Sequence, residues 1–282
     1  MRRRFMQVDV FSHDPFKGNP LGVVIDGQGL STQQMKDYAT WSNLSEVTFV
    51  LPPSEEVADF RFRIFAGDQE YPFAGHPTLG TARAWLAAGG QPKNSGHVIA
   101  QCQAGLIPVR INESVLSFQS PARVRSHALD QAELQPICEI LGISAEHVDA
   151  AFWADNGPGW VAVLLNSAQA VLELSPDASK HQGQWKIGVL GPLEPQDANR
   201  RGGFEVRALK FADGVLLEDP VTGSLNAAAA EWLIENGRAT APFTNHQGTV
   251  LGRRGRVDFE LVDGTLWTGG ATQVLIDGYF NV

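Results

Sequence analysis

Three titratable side chains stand where a small acid could be held and deprotonated. Glu46 lies in Trp41-Ser42-Asn43-Leu44-Ser45-Glu46-Val47-Thr48-Phe49-Val50, between a polar stretch and an apolar run. A carboxylate at the head of a buried strand suits general-base work, because desolvation favours its neutral form and draws proton exchange toward working pH. The same place equally suits an exposed loop glutamate. His76 follows the Ala74-Gly75 turn and opens a segment of small residues. An imidazole there can transfer a proton or hydrogen-bond a substrate; it can also cap a helix or pack in a core. Asp219 precedes Pro220 in Glu218-Asp219-Pro220-Val221-Thr222-Gly223-Ser224, and Asp before Pro is also an ordinary turn former. Ser224 can cap a helix and donate to a carboxylate.

Positioning these groups requires turns, strands and buried helices. Asp59-Phe60-Arg61-Phe62-Arg63-Ile64-Phe65 and Gln7-Val8-Asp9-Val10-Phe11 alternate with period two, as half-buried strands do. Further strands are expected at 47–51, 107–111, 115–118, 160–165, 204–211, 256–262 and 273–276, with a hairpin at Asp263-Gly264. Ser31 with Gln34 predicts a capping box opening a helix toward Ser42. Asp130 with Glu133 opens another that stops near Leu141-Gly142. Segments 78–88 and 225–234 are small and apolar nearly all round, which predicts buried helices. The order is not a regular β–α alternation, so the expected class is α+β, with mainly antiparallel strands curled around one central helix per half.

The two buried segments repeat one another. Pro72-Phe73-Ala74-Gly75-His76-Pro77 lies over Pro220-Val221-Thr222-Gly223-Ser224-Leu225. One gap then sets Trp85-Leu86 on Trp232-Leu233 and Gly90 on Gly237. In each copy a Gly turn enters a helix whose first amides lack intrahelical partners, and such amides bind anions. The expected halves are 1–120 and 121–272, joined near Ser120 to Arg125, with 273–282 a candidate strand to complete the first half.

Composition removes several function classes. The 282 residues carry a net charge of −9, a poor match for nucleic acid or an anionic membrane. Arg253-Arg254-Gly255-Arg256 is the one local nucleic-acid-type motif, and a solvated turn accounts for it. No stretch approaches the ~18 apolar residues of a spanning helix. The Arg2-Arg3-Arg4 tip has no apolar core behind it, so it is expected to be a frayed end rather than a leader. Two cysteines, Cys102 and Cys138, with no CxxC, fit a reducing cytoplasm. None of the seven histidines pairs at HxxxH spacing, so no metal site is expected. Neither a P-loop nor a strand-linked GxGxxG is present.

Together these residues resemble the PhzF family, the phenazine-biosynthesis isomerases and their relatives, whose fold is that of diaminopimelate epimerase. The resemblance rests on Val8-Asp9-Val10-Phe11, Phe16-Lys17-Gly18-Asn19-Pro20-Leu21, Asn43-Leu44-Ser45-Glu46 and Pro72 to Gly80. It continues through Asp155-Asn156-Gly157-Pro158, Glu218 to Ser224, and Thr268-Gly269-Gly270-Ala271. It implies two similar halves, each a sheet rolled around a helix, with the site between them, and a cofactor-free isomerase, usually a homodimer, acting on a small-molecule carboxylate. In the phenazine enzymes the matching Glu moves a proton on a dihydro-hydroxyanthranilate, and the resulting enol tautomerises to a ketone. Carried over, Glu46 is the general base and acid. His76 and Asp219 contact substrate and assist the proton movement, and Gly75, Gly223 and Ser224 line the carboxylate site.

Two features qualify the resemblance. Thiol-pair epimerases of this fold carry a cysteine at each helix entry, where this chain has Ala74 and Thr222, so two-base racemisation is disfavoured. Ala66-Gly67-Asp68-Gln69-Glu70 replaces a Thr-Pro-containing turn of many relatives and alters the wall beside His76. The alternatives to a proton-shifting isomerase are a catalytically silent small-ligand binding protein of the same fold and, less favoured, an amino-acid epimerase.

Overall fold

The computed structural model describes residues 1–179, 181–194 and 203–282. They form two compact units, Met1–Gln119 with Gly269–Val282, and Ser120–Thr268. Both mix strands with a few helices, the α+β class expected. Among the described residues no helix is long and apolar enough to cross a membrane.

The first unit contains β1 (Arg2–Val10), β2 (Asn19–Val24), α1 (Thr32–Ser42), β3 (Val47–Leu51), β4 (Phe60–Ala66), β5 (Gln69–Tyr71), α2 (Gly75–Ala87), β6 (His97–Cys102), β7 (Gly105–Asn112) and β8 (Val115–Gln119). Its strands run in the order β1-β2-β3-β4-β6-β7-β8, with β5 on β4. The local signals explain much of this. In β4, Phe60, Phe62 and Ile64 are buried and the two arginines between them are not. In α1, Ser31 Oγ accepts from Gln34 N at 3.2 Å and Gln34 Oε1 from Ser31 N at 2.9 Å. The helix stops at Asn43, which is left-handed at φ 58°.

The second unit contains α3 (Gln131–Leu141), β9 (Val148–Trp153), β10 (Trp160–Leu165), α4 (Ala168–Leu172), β11 (Gln184–Pro192), β12 (Phe204–Ala212), β13 (Val215–Asp219), α5 (Gly223–Glu235), β14 (Phe243–Gln247), β15 (Gly255–Val262) and the first residues of β16 (Thr265–Asn281). Its order is β15-β14-β12-β11-β10-β9, with β13 on β12. Asp130 and Glu133 form the expected box on α3, and Gly142 ends it at φ 70°. Asp263 and Gly264, both at positive φ, make the expected hairpin turn.

Several expectations need correction. The basic tip is not frayed: Arg2 to Met6 are in β1, paired with β16 on one side and from Phe5 onward with β2 on the other. Arg3, 7% exposed, donates to the Asp26 and Gln28 carbonyls, and Arg4 pairs with Asp277. The strand expected at 273–276 is the middle of the seventeen-residue β16. Gly269 does not break it; a Cβ there would lie 2.5 Å from the Leu116 carbonyl oxygen, so glycine permits close strand approach. The two buried helices start at Gly75 and Gly223 rather than at 78 and 225, because proline is tolerated in a first helical turn and Pro77 ends nothing. In the basic cluster only Arg254 is exposed, and Gly255 and Arg256 begin β15.

Both 13-residue helices are buried over most of their length. Gly80 lets α2 touch β2, since a Cβ would lie 2.5 Å from Leu21 Cδ2. The gap in the repeat falls inside the helices, so the two tryptophans sit at different helical phases. Trp85 stacks on Phe60 and Trp232 on Phe152, each within its own unit.

One buried carboxyl in the second unit makes a testable statement about stability. Glu205 is 3% exposed and its Oε1 has no hydrogen-bond partner among the described residues. Burial pushes this carboxyl above the ordinary range, against a hydrogen bond from Thr249 and the pull of Arg256 and Arg207. A raised folded value means the folded state holds the proton more tightly, so stability falls as pH rises out of the ordinary carboxylate range and stays lower above the raised value. Glu205→Gln is therefore expected to raise Tm at about pH 8 and to change it little at about pH 4. An equal effect at both pH values in a melting series would contradict this account.

Candidate active site

Glu46 sits between the end of α1 and the start of β3, so the helix stop at Asn43 sets where it emerges. Its side chain is 17% exposed rather than a free loop carboxylate. His76, 6% exposed, is the second residue of α2. The structure brings the two together, with Nε2 of His76 3.6 Å from Oε2 of Glu46. That oxygen is buried and has no hydrogen-bond partner among the described residues. A buried, uncommitted carboxylate oxygen is available to accept a proton from a ligand.

The geometry is held by contacts that local sequence does not announce. Thr81 Oγ1, inside α2, lies 2.7 Å from Thr48 Oγ1 and 2.6 Å from the Pro77 carbonyl. Thr48 is two residues after Glu46 and Pro77 adjoins His76, so this buried tie fixes β3 to the entry of α2. The helix begins at N-cap Ala74 with no side-chain cap, and Pro77 has no amide hydrogen. Beside it, Asp9 Oδ2 accepts from Lys17 N at 3.0 Å and Gly18 N at 3.1 Å, folding the Phe11–Gly18 loop onto β1. Gly18 allows this approach, because a Cβ would lie 2.2 Å from the Val10 carbonyl oxygen. The Ala66–Glu70 segment is a β4–β5 hairpin turning at Gly67, and Glu70 points to Arg63 in a 2.6 Å ion pair.

In the second unit, Asp219 ends β13 with its side chain 9% exposed and 3.1 Å from Lys210 Nζ. Glu218 beside it is engaged by Arg207. Gly223 and Ser224 are the first two residues of α5. Ser224 is not the cap, because the helix starts one residue before it and Thr222 is the N-cap, without a side-chain hydrogen bond. Instead Ser224 Oγ accepts from Trp160 Nε1 at 3.1 Å, and its carbonyl accepts from Asn156 Nδ2 at 3.1 Å. Asn156 Oδ1 is buried without a partner among the described residues.

Two groups of supporting residues have roles that the sequence alone does not assign. The first is Gln247, whose Oε1 accepts from Thr222 N and Asn226 Nδ2 while its Nε2 donates to the Asp219 carbonyl and Thr222 Oγ1. Asn245 donates in turn to Asn226 Oδ1. Alternating buried amides at 245 and 247 in β14 are the faint signal that could have found them. The second is Asp155, whose Oδ1 accepts from the Gly157 and Gly159 amides and whose Oδ2 accepts from Arg125 Nε. Burial pushes its carboxyl up, but those bonds outweigh it and hold the group below the usual range. Asp155 thus fixes the turn that carries Asn156 to Ser224.

Neither cysteine stands at a helix entry. Cys102 is in β6 and Cys138 in α3, both are free and buried, and burial pushes both thiols up, away from thiolate chemistry.

With this α+β fold and relatives named as isomerases, the chain is an isomerase. The sequence profile of the phenazine biosynthesis-like protein family matches residues 8–279, and the chain belongs to that family. It is 35% identical over 263 residues to the trans-2,3-dihydro-3-hydroxyanthranilate isomerase of Pseudomonas aeruginosa, covering 90% of this chain and 88% of that one. It is 32% identical over 267 residues to antisense-enhancing sequence 1 of Schizosaccharomyces pombe, covering 89% and 87%. A crystal structure of a PhzF-family phenazine biosynthesis protein from Bacillus anthracis superposes with a TM-score of 0.80 at 20% identity, over the full length of both chains.

Proposed function

We propose that the protein moves a proton between two carbons of a small carboxylate, with Glu46 as the base that takes the proton and the acid that returns it. The observation that carries this reading is the buried Glu46 Oε2, uncommitted and 3.6 Å from His76 Nε2. The carboxylate removes a proton from carbon, the electron pair moves into the adjacent π system, and the protonated Glu46 delivers to the other end of that system. His76 offsets the charge that develops as the proton leaves carbon. Asp219 is a further acid–base group, and the uncapped entries at Gly75 and at Gly223-Ser224 suit the substrate carboxylate. The protein works as a homodimer in this reading.

The substrate class follows from the same chemistry: the proton must be acidified by a neighbouring carbonyl, carboxylate or double bond. The named substrate of the Pseudomonas aeruginosa relative, a dihydro-hydroxyanthranilate, meets that requirement. It is the first compound to try, followed by other cyclic dihydro-hydroxy acids, anthranilate analogues and amino acids. Incubation in heavy water, followed by proton NMR, is expected to show migration of a carbon-bound hydrogen or its replacement by deuterium. A carboxylate that returns the same proton also transfers some hydrogen without exchange, so part of the product should carry no deuterium at the new position. Inversion of a stereocentre with full deuterium incorporation and no double-bond shift would replace this reading with two-base epimerisation.

A further inference from the structure

The strand β4 carries two arginines on the face opposite its buried Phe60, Phe62 and Ile64, and their surroundings differ. Arg63 donates from Nε and Nη2 to the two oxygens of Glu70 at 2.7 and 2.6 Å, and from Nη1 to Thr32. Arg61 has no counterpart. Among the described residues its buried Nε has no acceptor and it makes no ion pair. A donor withdrawn from water without an acceptor costs free energy, and in native proteins such a group calls for a partner, whether water, an ion or a ligand.

Arg61 lines an open groove of about 820 Å³, a volume ordinary for small-molecule sites. Leu30, Met35, Leu51 and Pro52 give it apolar lining. Both rims are fixed in advance. Gln101, in register with Arg61, accepts from Ser54 N and donates to Ser54 Oγ and Glu55 Oε1, which holds one rim and engages the nearby carboxylate. Arg3 donates to the Asp26 and Gln28 carbonyls and holds the other. Glu70 is neutralised by Arg63, so the uncompensated charge in the groove is that of Arg61. The groove is separate from the acid–base pair: Arg61 pairs with Leu51 at the end of β3 away from Glu46, roughly 16 Å along the chain. Neither Glu46 nor His76 lines it.

We propose that this groove is a second ligand site, for a small molecule bearing a carboxylate or phosphate on an apolar body, with Arg61 as the anion-binding residue. A planar guanidinium can present two parallel donors to either anion, and the aliphatic walls take the body. The site does not depend on the role proposed for Glu46.

The test is a titration of the isotope-labelled full chain, following amide NMR shifts, with benzoate, phenyl phosphate and, as an uncharged control, benzyl alcohol. At least one of the two anions is expected to shift the amides of Gly29, Ser54, Phe62 and Cys102 saturably, and which one responds identifies the headgroup. Benzyl alcohol should not. Arg61→Met should weaken the response at least about tenfold, with the spectrum elsewhere unchanged. Arg61→Gln provides a second variant that keeps a polar side chain on the strand. The proposal is overturned if neither anion moves these amides or if both variants bind as the parent does. It is also overturned if the same amides shift with protein concentration alone, which would assign Arg61 to a carboxylate of a second copy.

Discussion

Replacing Glu46 by Gln is expected to lower turnover by a factor on the order of 10²–10⁴, or about 3–5 kcal/mol of transition-state stabilisation. The substitution keeps size and shape. It removes only the capacity to accept a proton, and among the described residues Glu46 Oε2 has no structural hydrogen bond to lose. Circular dichroism and melting should therefore match the parent, while exchange of carbon-bound hydrogen falls with turnover. Substrate affinity should hold, because the loss belongs to the reaction rather than to binding. Undiminished turnover in this variant would remove Glu46 from the mechanism whatever the substrate proves to be.

Arg207→Met is expected to be the most damaging change to the second unit, costing about 3–5 kcal/mol. Arg207, 7% exposed, donates from Nε and Nη2 to both oxygens of Glu218 and from Nη1 to the Leu174 carbonyl. Methionine fills much of the volume but leaves the Glu218 carboxylate, itself 12% exposed, with no counter-charge. At roughly 2–4 °C per kcal/mol for a domain of this size, melting should fall by about 6–20 °C. The double variant Arg207→Met with Glu218→Leu should recover most of the loss, because removing both charges also removes the uncompensated one. A double variant no more stable than Arg207→Met alone would show that the cost lies in packing or in the Val171 and Leu174 carbonyls instead. The pair has a bearing on the site, since Glu218 is the neighbour of Asp219 and anchors the end of β13.

The parts of the fold that could be read in advance are those whose cause is local. The two capping boxes need only residues three apart, and β4 announces itself by strict alternation. Among the strands that escape are two in which glycine or buried amides serve distant partners. In β11, Gly188 and Gly191 look like turn residues. A Cβ at Gly188 would lie 2.4 Å from Leu225 Cδ1, and one at Gly191 would lie 2.1 Å from the Ser167 carbonyl oxygen. These glycines let helices approach the sheet rather than breaking the strand. In β14 the buried residues include Asn245 and Gln247, which hydropathy scores as surface but which satisfy α5 and Thr222. The site divides in the same way. Glu46, His76 and Asp219 stand in recognisable local settings. The Thr48–Thr81 tie and the Trp160–Ser224 bond join residues 33 and 64 positions apart, and no local pattern encodes them.

The long β16 imposes an order of assembly on the chain as it is made. Its later residues pair with β1 from Arg2 to Val10 and so complete a unit whose other strands all lie before residue 120. On the ribosome, Ser120–Thr268 must be synthesised before that partner exists. At about 5–20 residues per second this is a wait of roughly 7–30 s. Through that interval β1 and β8 each present an unpaired edge, the feature that invites strand-to-strand association between nascent chains. The contiguous second unit has no such wait. The unit that holds Glu46 and His76 is therefore the later of the two to be sealed and the one most dependent on protection during synthesis.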